Sequence, residues 1–192
     1  MSDSLRDRLL LASGSPRRLD ILRAAGIEPE VCPVDAQELQ DGLPPCELVR
    51  QNALLKALAA AGLYPGRVIL AADTLVALGD MPLGKPQDEA DACRMLRMLS
   101  GRTHSVFTGV AVWADGVMRD GVDESRVSFR QLSDEEIAEY VACGEPMDKA
   151  GAYAVQGIGA ALVSGIEGAF DNIVGLPMAL VRELLPNDIT GA

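Results

Sequence analysis

Five consecutive aliphatic residues, Val68-Ile69-Leu70-Ala71-Ala72, run straight into Asp73-Thr74. A run this short and continuous reads as a strand buried on both faces, which demands covering layers above and below and so an α/β architecture. Polar groups delivered at the carboxyl end of such a strand sit where α/β folds place their ligands. The rest of the chain agrees with that class. Leu9 to Ala12 is a second buried-strand run, broken by Ser13-Gly14-Ser15-Pro16, after which Leu19, Leu22 and Ala25 recur at helical spacing as far as Gly26. Pro16 suits the first helical turn, where its missing N–H costs nothing.

Further along, a strand is expected at Glu30 to Val34, an acidic loop at Asp35 to Pro45 and an alanine-rich helix at Glu47 to Ala61. Asp88 to Leu99 reads as an amphipathic helix. Thr103 to Trp113 reads as a strand that turns at Ala114-Asp115-Gly116 into Val117 to Arg119, with Val127 to Phe129 as a third antiparallel strand. Ser133-Asp134-Glu135-Glu136 has the form of a capping box opening a helix from Asp134 to Ala142. A strand near Ala161 to Ile166 and a helix opened by Pro177 and closed before Pro186 complete a single domain over residues 1–192.

Composition narrows the partners. With 48% apolar residues the chain is globular and not disordered. Its formal charge of −11 repels polyanions, and only 4% of residues are aromatic, too few for a base-stacking platform. No nucleic acid polymer is expected as a partner. Local cations in a cleft still leave a small anionic ligand open. Cys32, Cys46, Cys93 and Cys143 are widely spaced, which fits free thiols in a reducing compartment rather than a zinc or redox motif. The mixed charges of Met1 to Arg8 and the short apolar run behind them do not make a signal peptide, and no apolar run is long enough to cross a membrane. A cytoplasmic protein is expected.

Two constellations could carry chemistry. Ser13-Gly14-Ser15-Pro16-Arg17-Arg18 places two cations at a helix start, where they oppose the helix dipole unless an anion binds there; an ordinary solvated turn is the alternative. Asp73-Thr74 could act with Glu38, Lys56, Lys85 and Asp148-Lys149, or Asp73 could simply cap a turn. His104 is the only histidine and reads as a structural one, so triad and multi-histidine chemistry have little to work with. Gly157-x-Gly159 is too short for a dinucleotide fingerprint.

Taken together, Leu11-Ala12-Ser13-Gly14-Ser15-Pro16-Arg17-Arg18, Ala72-Asp73-Thr74-Leu75-Val76, Gly84-Lys85-Pro86, Leu99-Ser100-Gly101-Arg102-Thr103-His104, Asp148-Lys149-Ala150-Gly151-Ala152-Tyr153 and Val174-Gly175-Leu176-Pro177 follow one another in an order that closely resembles the Maf family of nucleoside triphosphate pyrophosphatases. The resemblance implies an elongated, two-lobed mixed sheet with flanking helices and a central cleft, related to the inosine triphosphatase type, and often a homodimer. It implies hydrolysis of a nucleoside triphosphate between the α and β phosphates, with a divalent cation such as Mg²⁺ or Mn²⁺.

Carried over residue by residue, Asp73 resembles the family's proton acceptor, while Ser13, Arg17 and Arg18 resemble its phosphate-binding turn. Lys56, Lys85 and Lys149 match its lysines. Arg17, Thr74 and Gln156 are similar to the branch acting on dTTP and UTP. The metal-binding acid corresponds to Glu38, counted without a gap from Gly26, or to Asp35, because Val34-Asp35-Ala36-Gln37-Glu38 departs from the family's acidic pair. The expected function is therefore dTTP and UTP pyrophosphatase activity, with clearance of modified pyrimidine nucleotides as a role. Two alternatives stand beside it: the same hydrolysis on 7-methyl-GTP, and a nucleotide-binding regulator of cell division without turnover.

Overall fold

In the computed structural model, which describes residues 9–190, the strand that begins at Val68 does not stop before Asp73. It runs on as β3 (Val68–Leu78), eleven residues long. The order around it is β1 (Leu9–Leu11), α1 (Pro16–Ala24), β2 (Glu30–Val31) and α2 (Pro45–Leu63) before β3, then β4 (Met81–Leu83), α3 (Glu89–Leu99), β5 (Thr103–Ala114), β6 (Val117–Phe129) and α4 (Asp134–Ala142). Three 3-10 turns follow at Glu145–Asp148, Ala150–Ala152 and Gly157–Leu162, then β7 (Val163–Glu167), α5 (Phe170–Val174), α6 (Met178–Leu184) and α7 (Asn187–Thr190). The sheet order is β2-β1-β3-β5-β6-β7, with β4 folded back on the far end of β3. β1 lies parallel to β2 and β3, and the remaining pairs are antiparallel, so the sheet is mixed. Residues Met1 to Arg8 lie outside the described residues.

β3 belongs to two packing regions. Over its first half both faces are covered: Val68, Leu70 and Ala72 pack with Leu22 of α1 and Val181 of α6, while Ile69 and Ala71 pack beneath Ala53, Ala57 and Ala60 of α2. In its second half Val76 joins Leu96 and Leu99 of α3, Ile137 and Tyr140 of α4, and Phe129 of β6. Between the two regions Asp73, Thr74 and Leu75 are only half-buried. There the covering layers part, and a cleft opens.

The two longest departures from the sequence expectations, in β3 and β6, have one cause. Apolar periodicity sees side chains, whereas strands are held by backbone pairing. β3 continues past Asp73 because Asp73 to Ala77 pair with Gly109 to Ser105 of β5. The expected pieces at 117–119 and 127–129 are one strand, because β6 pairs with β5 without interruption from Val117 to Ser128 despite the polar Asp120, Asp123 and Glu124. β2 ends at Val31, three residues early. The capping box at Ser133 forms as expected, with Ser133 Oγ accepting from Glu136 N and Glu136 Oε2 accepting from Ser133 N. Pro177 stands as the N-cap of α6 and not at its first helical position. No helix among the described residues is long and apolar enough to cross a membrane.

His104 is buried in the second packing region, edge-on to Phe129 and Tyr153, with Nε2 2.8 Å from the Tyr153 hydroxyl. Its Nδ1 has no hydrogen-bond partner among the described residues. Burial lowers the imidazole from 6.5 to about 4, so the folded chain refuses a proton that the unfolded chain accepts between those values. The stability that the neutral ring contributes is whole above pH ~6.5 and drains away as pH falls toward ~4. Replacing His104 with Phe should therefore remove roughly 2–3 kcal/mol of the acid-side loss between pH 7 and 4.5, read from urea unfolding of both proteins. Parallel pH slopes for wild type and variant would refute this.

Candidate active site

The turn after β1 is fixed from both ends. Ala12 N donates to Leu70 O of β3 at 2.8 Å, and α1 starts at Pro16. Ser13, nearly buried, accepts at Oγ from Ser15 N (3.2 Å) and from Arg18 Nη1 (3.0 Å). The Arg18 guanidinium points inward and is consumed there: Nε donates to Gly175 O at 2.8 Å, Nη1 also to Ala72 O at 2.9 Å, and Nη2 to Thr74 Oγ1 at 3.0 Å. Burial pulls this group below its ordinary pKa, and the Asp73 charge offsets that only in part. Arg18 thus ties α1, β3 and the segment after α5 together, while its neighbour Arg17 faces the cleft and stands 3.7 Å from Asp148.

Asp73 projects from the middle of β3 toward α2. Lys56 Nζ lies 2.7 Å from its Oδ1 and 2.9 Å from Glu38 Oε1, so one cation serves two carboxylates. The Lys56 and Asp73 side chains are 13% and 17% exposed and Glu38 is 41% exposed, so the first pair is shielded from solvent screening and the second much less so. Asn52, one helical turn before Lys56 and buried, donates from Nδ2 to Asp73 Oδ2 at 3.1 Å and to Leu39 O at 3.0 Å, and accepts from Leu39 N at 2.8 Å at its Oδ1. It therefore holds both the carboxylate and the loop that carries Glu38. Sequence reasoning missed this residue, although a polar side chain on the same helical stripe as Val49, Ala53 and Ala60 was a signal.

α2 can reach β3 because of a glycine. Gly109 is the register partner of Asp73, and a Cβ there would lie 2.4 Å from the backbone oxygen of Val49. Thr74 pairs with Thr108, and their hydroxyls are 3.0 Å apart. Thr108 gives its own proton to Asn172 O (3.0 Å), so Thr74 accepts from Arg18 and has Thr108 Oγ1 (3.0 Å) and, farther off, Gly175 O (3.5 Å) as acceptors for its own proton. One acceptor position on Thr74 remains.

Across the cleft, Gly151 N donates to Gly84 O at 3.0 Å and so pins the segment of Lys85 to that of Lys149. Lys149 Nζ bonds the Asp148 carboxylate and Glu145 O. Ser13, Arg17, Arg18, Glu38, Lys56, Asp73, Thr74, Lys85, Lys149 and Gln156 all line one cleft of about 810 Å³. Asp35 does not line it; it is exposed on the same loop.

The sequence pattern of a Maf-like protein matches residues 8–187. The chain belongs to the Maf family. A relative from Gloeobacter violaceus called dTTP/UTP pyrophosphatase is 48% identical over 179 residues, 93% of this chain and 94% of that one. Another of that description, from Anaeromyxobacter dehalogenans, is 49% identical over 183 residues, 93% and 92% of the two chains. The solved Staphylococcus aureus Ham1 protein shares 16% identity with this Maf chain, covering 66% of it and 72% of that structure at a TM-score of 0.46, too slight a likeness to build on.

The packing of α2 on Gly109 generates a test of this Maf site. A methyl at 109 must push the Val49 carbonyl away and take Asn52 and Lys56 off Asp73. Gly109→Ala is expected to cost about 1–3 kcal/mol of stability. A thermal melt and a turnover assay on the folded variant check the two effects, and an unchanged melting temperature would show that α2 needs no such close approach.

Proposed function

We propose that the chain hydrolyses nucleoside triphosphates to a monophosphate and pyrophosphate, with dTTP and UTP preferred. The observation that carries this reading is the Asp73, Lys56 and Glu38 cluster, set at mid-strand in a cleft whose other wall presents Lys85 and Lys149. The description shared by the Gloeobacter and Anaeromyxobacter relatives supports the choice of substrates.

Phosphoanhydride cleavage asks mainly for in-line placement of water and for cations around the developing charge. Asp73 accepts the proton of the attacking water, held in place by Asn52 and Lys56. Arg17, Lys85 and Lys149 neutralise the phosphates, and Arg18 holds the turn at Ser13 in shape. A divalent cation fits the residues present. Among the described residues no three acidic, histidine or cysteine side chains gather to cage an ion, and Mg²⁺ commonly takes one or two carboxylates together with substrate phosphates. Glu38 and Asp73 would hold it, and its chemistry would be to draw charge from the phosphate oxygens. The free thiols of Cys32, Cys46, Cys93 and Cys143 favour a cytoplasmic location for the enzyme.

Base choice falls to Gln156 and Thr74. Uracil and thymine present two carbonyls around one imide N–H, which a glutamine amide can answer with both its donor and its acceptor. Thr74 adds a short hydroxyl with one acceptor position left beside that edge. A site built for one hydrogen-bonding edge rejects ligands that leave its groups unpaired.

Two outcomes test the proposal. Incubation with dTTP and Mg²⁺ should yield dTMP and pyrophosphate by chromatography, and orthophosphate with dTDP would overturn it. Asp73→Asn keeps the shape while removing charge and basicity, so kcat should fall by roughly 10²-fold or more in a protein that still folds.

A further inference from the structure

The segment that carries Gln156 has no strand to support it. Residues 154–156 pair with no neighbour in the sheet, and Gln156 is exposed, with no hydrogen-bond partner for its side-chain amide among the described residues. A loose loop gives little selectivity, because the cost of ordering it falls on every ligand that binds.

Two side chains from outside the segment hold it on either side of Gln156. Before it, Ala154 N donates to the Tyr140 hydroxyl at 3.1 Å. After it, Ile158 N donates to Glu145 Oε1 at 3.2 Å and Gly159 N to Glu145 Oε2 at 2.9 Å. The two holders are joined, since the Tyr140 hydroxyl donates to Glu145 Oε2 at 2.7 Å. Partial burial would raise the Glu145 carboxyl, but Tyr140, the Gly159 and Ile158 amides and Lys149 outweigh it, so the group sits below its ordinary pKa. Burial and Glu145 push the Tyr140 phenol upward, so it keeps its proton to donate.

The two glycines that resemble a broken dinucleotide motif make way for this pair. A Cβ at Gly157, whose φ is +74°, would lie 2.3 Å from Glu145 Oε1. One at Gly159 would lie 2.5 Å from the Tyr140 hydroxyl and 2.3 Å from Ala154 O. Lys149 Nζ also donates to the Glu145 backbone oxygen at 3.3 Å, so the same residue anchors the segment at the base end and a cation at the phosphate end.

We propose that Glu145 and Tyr140 form a clasp that positions Gln156 and thereby sets base preference, without touching the substrate. This rests on the reading of Gln156 as a base-contacting group. Both are positioning residues. Glu145→Gln keeps the shape but turns an N–H donor toward backbone donors, and Tyr140→Phe removes only the hydroxyl, so one variant covers for the other if either fails to fold.

Kinetics on UTP, dTTP, CTP and GTP with Mg²⁺, together with amide hydrogen exchange of the substrate-free proteins, decide the matter. In each folded variant, exchange at 154, 158 or 159 should quicken about tenfold at the amide that lost its partner, and KM for UTP and dTTP should rise about tenfold while kcat stays within about twofold. GTP turnover should hardly move, so the ratio of kcat/KM for UTP over GTP should fall. A general loss of stability would instead depress all four nucleotides in proportion. That result, or an unchanged ratio in a wild type that does prefer UTP, overturns the clasp and leaves the proposed function standing. If wild type shows no preference for UTP and dTTP, the base-reading proposal fails, and the clasp's role in base preference is overturned with it. Unaltered exchange in both variants of a wild type that does prefer UTP overturns the clasp alone.

Discussion

A carboxylate in the middle of a largely buried strand must be compensated where it stands, and the arrangement around Asp73 follows from that need. Lys56 is the compensating charge and Asn52 the compensating hydrogen bond. Both come from one face of α2, so that helix must lie close on the sheet, which requires Gly109 beneath it and the alanines Ala53, Ala57 and Ala60 along it. Glu38 enters the same group through Lys56, and its loop is held by Asn52. Helix, glycine and acidic loop therefore answer to a single charge.

The turn after β1, beside Asp73, is organised by a second charge used in the reverse sense. Arg18 spends its donors inside the protein, on Ser13, Ala72, Thr74 and Gly175, and so leaves Arg17 as the cation of that turn with freedom to meet a ligand. Two adjacent arginines that look equivalent as a sequence pair are separated by the helix into an internal brace and a cleft-facing cation that stands 3.7 Å from Asp148.

The chain disclosed its local signals well. The capping box at Ser133, the strand-turn-helix at Leu9 to Ala24 and the mixed α/β class were legible because each rests on neighbours in sequence. The order of short motifs pointed to the family and to residues that the fold gathers around one cleft. Three things were hidden, all of them tertiary. The extension of β3 through Asp73 depends on pairing with β5, Asn52 gains its meaning from a loop thirteen residues away and a strand twenty-one away, and Glu145 acts on amides that return to it only in the folded chain. The glycines at 157 and 159 were legible as a motif but not as clearance for two side chains.

β3 and β5 pass without a break from one packing region into the other. The two walls of the cleft are consequently not plates joined by a flexible leaf; they are mounted on the same two rails. Any narrowing around a ligand must come from coiling or flexing of those paired strands, a stiff deformation spread over many residues, or from the loops they carry. The span between Asp73 and the far wall thus behaves like a ruler whose length is set by strand rise, which suits a site that must measure a fixed distance from phosphate to base.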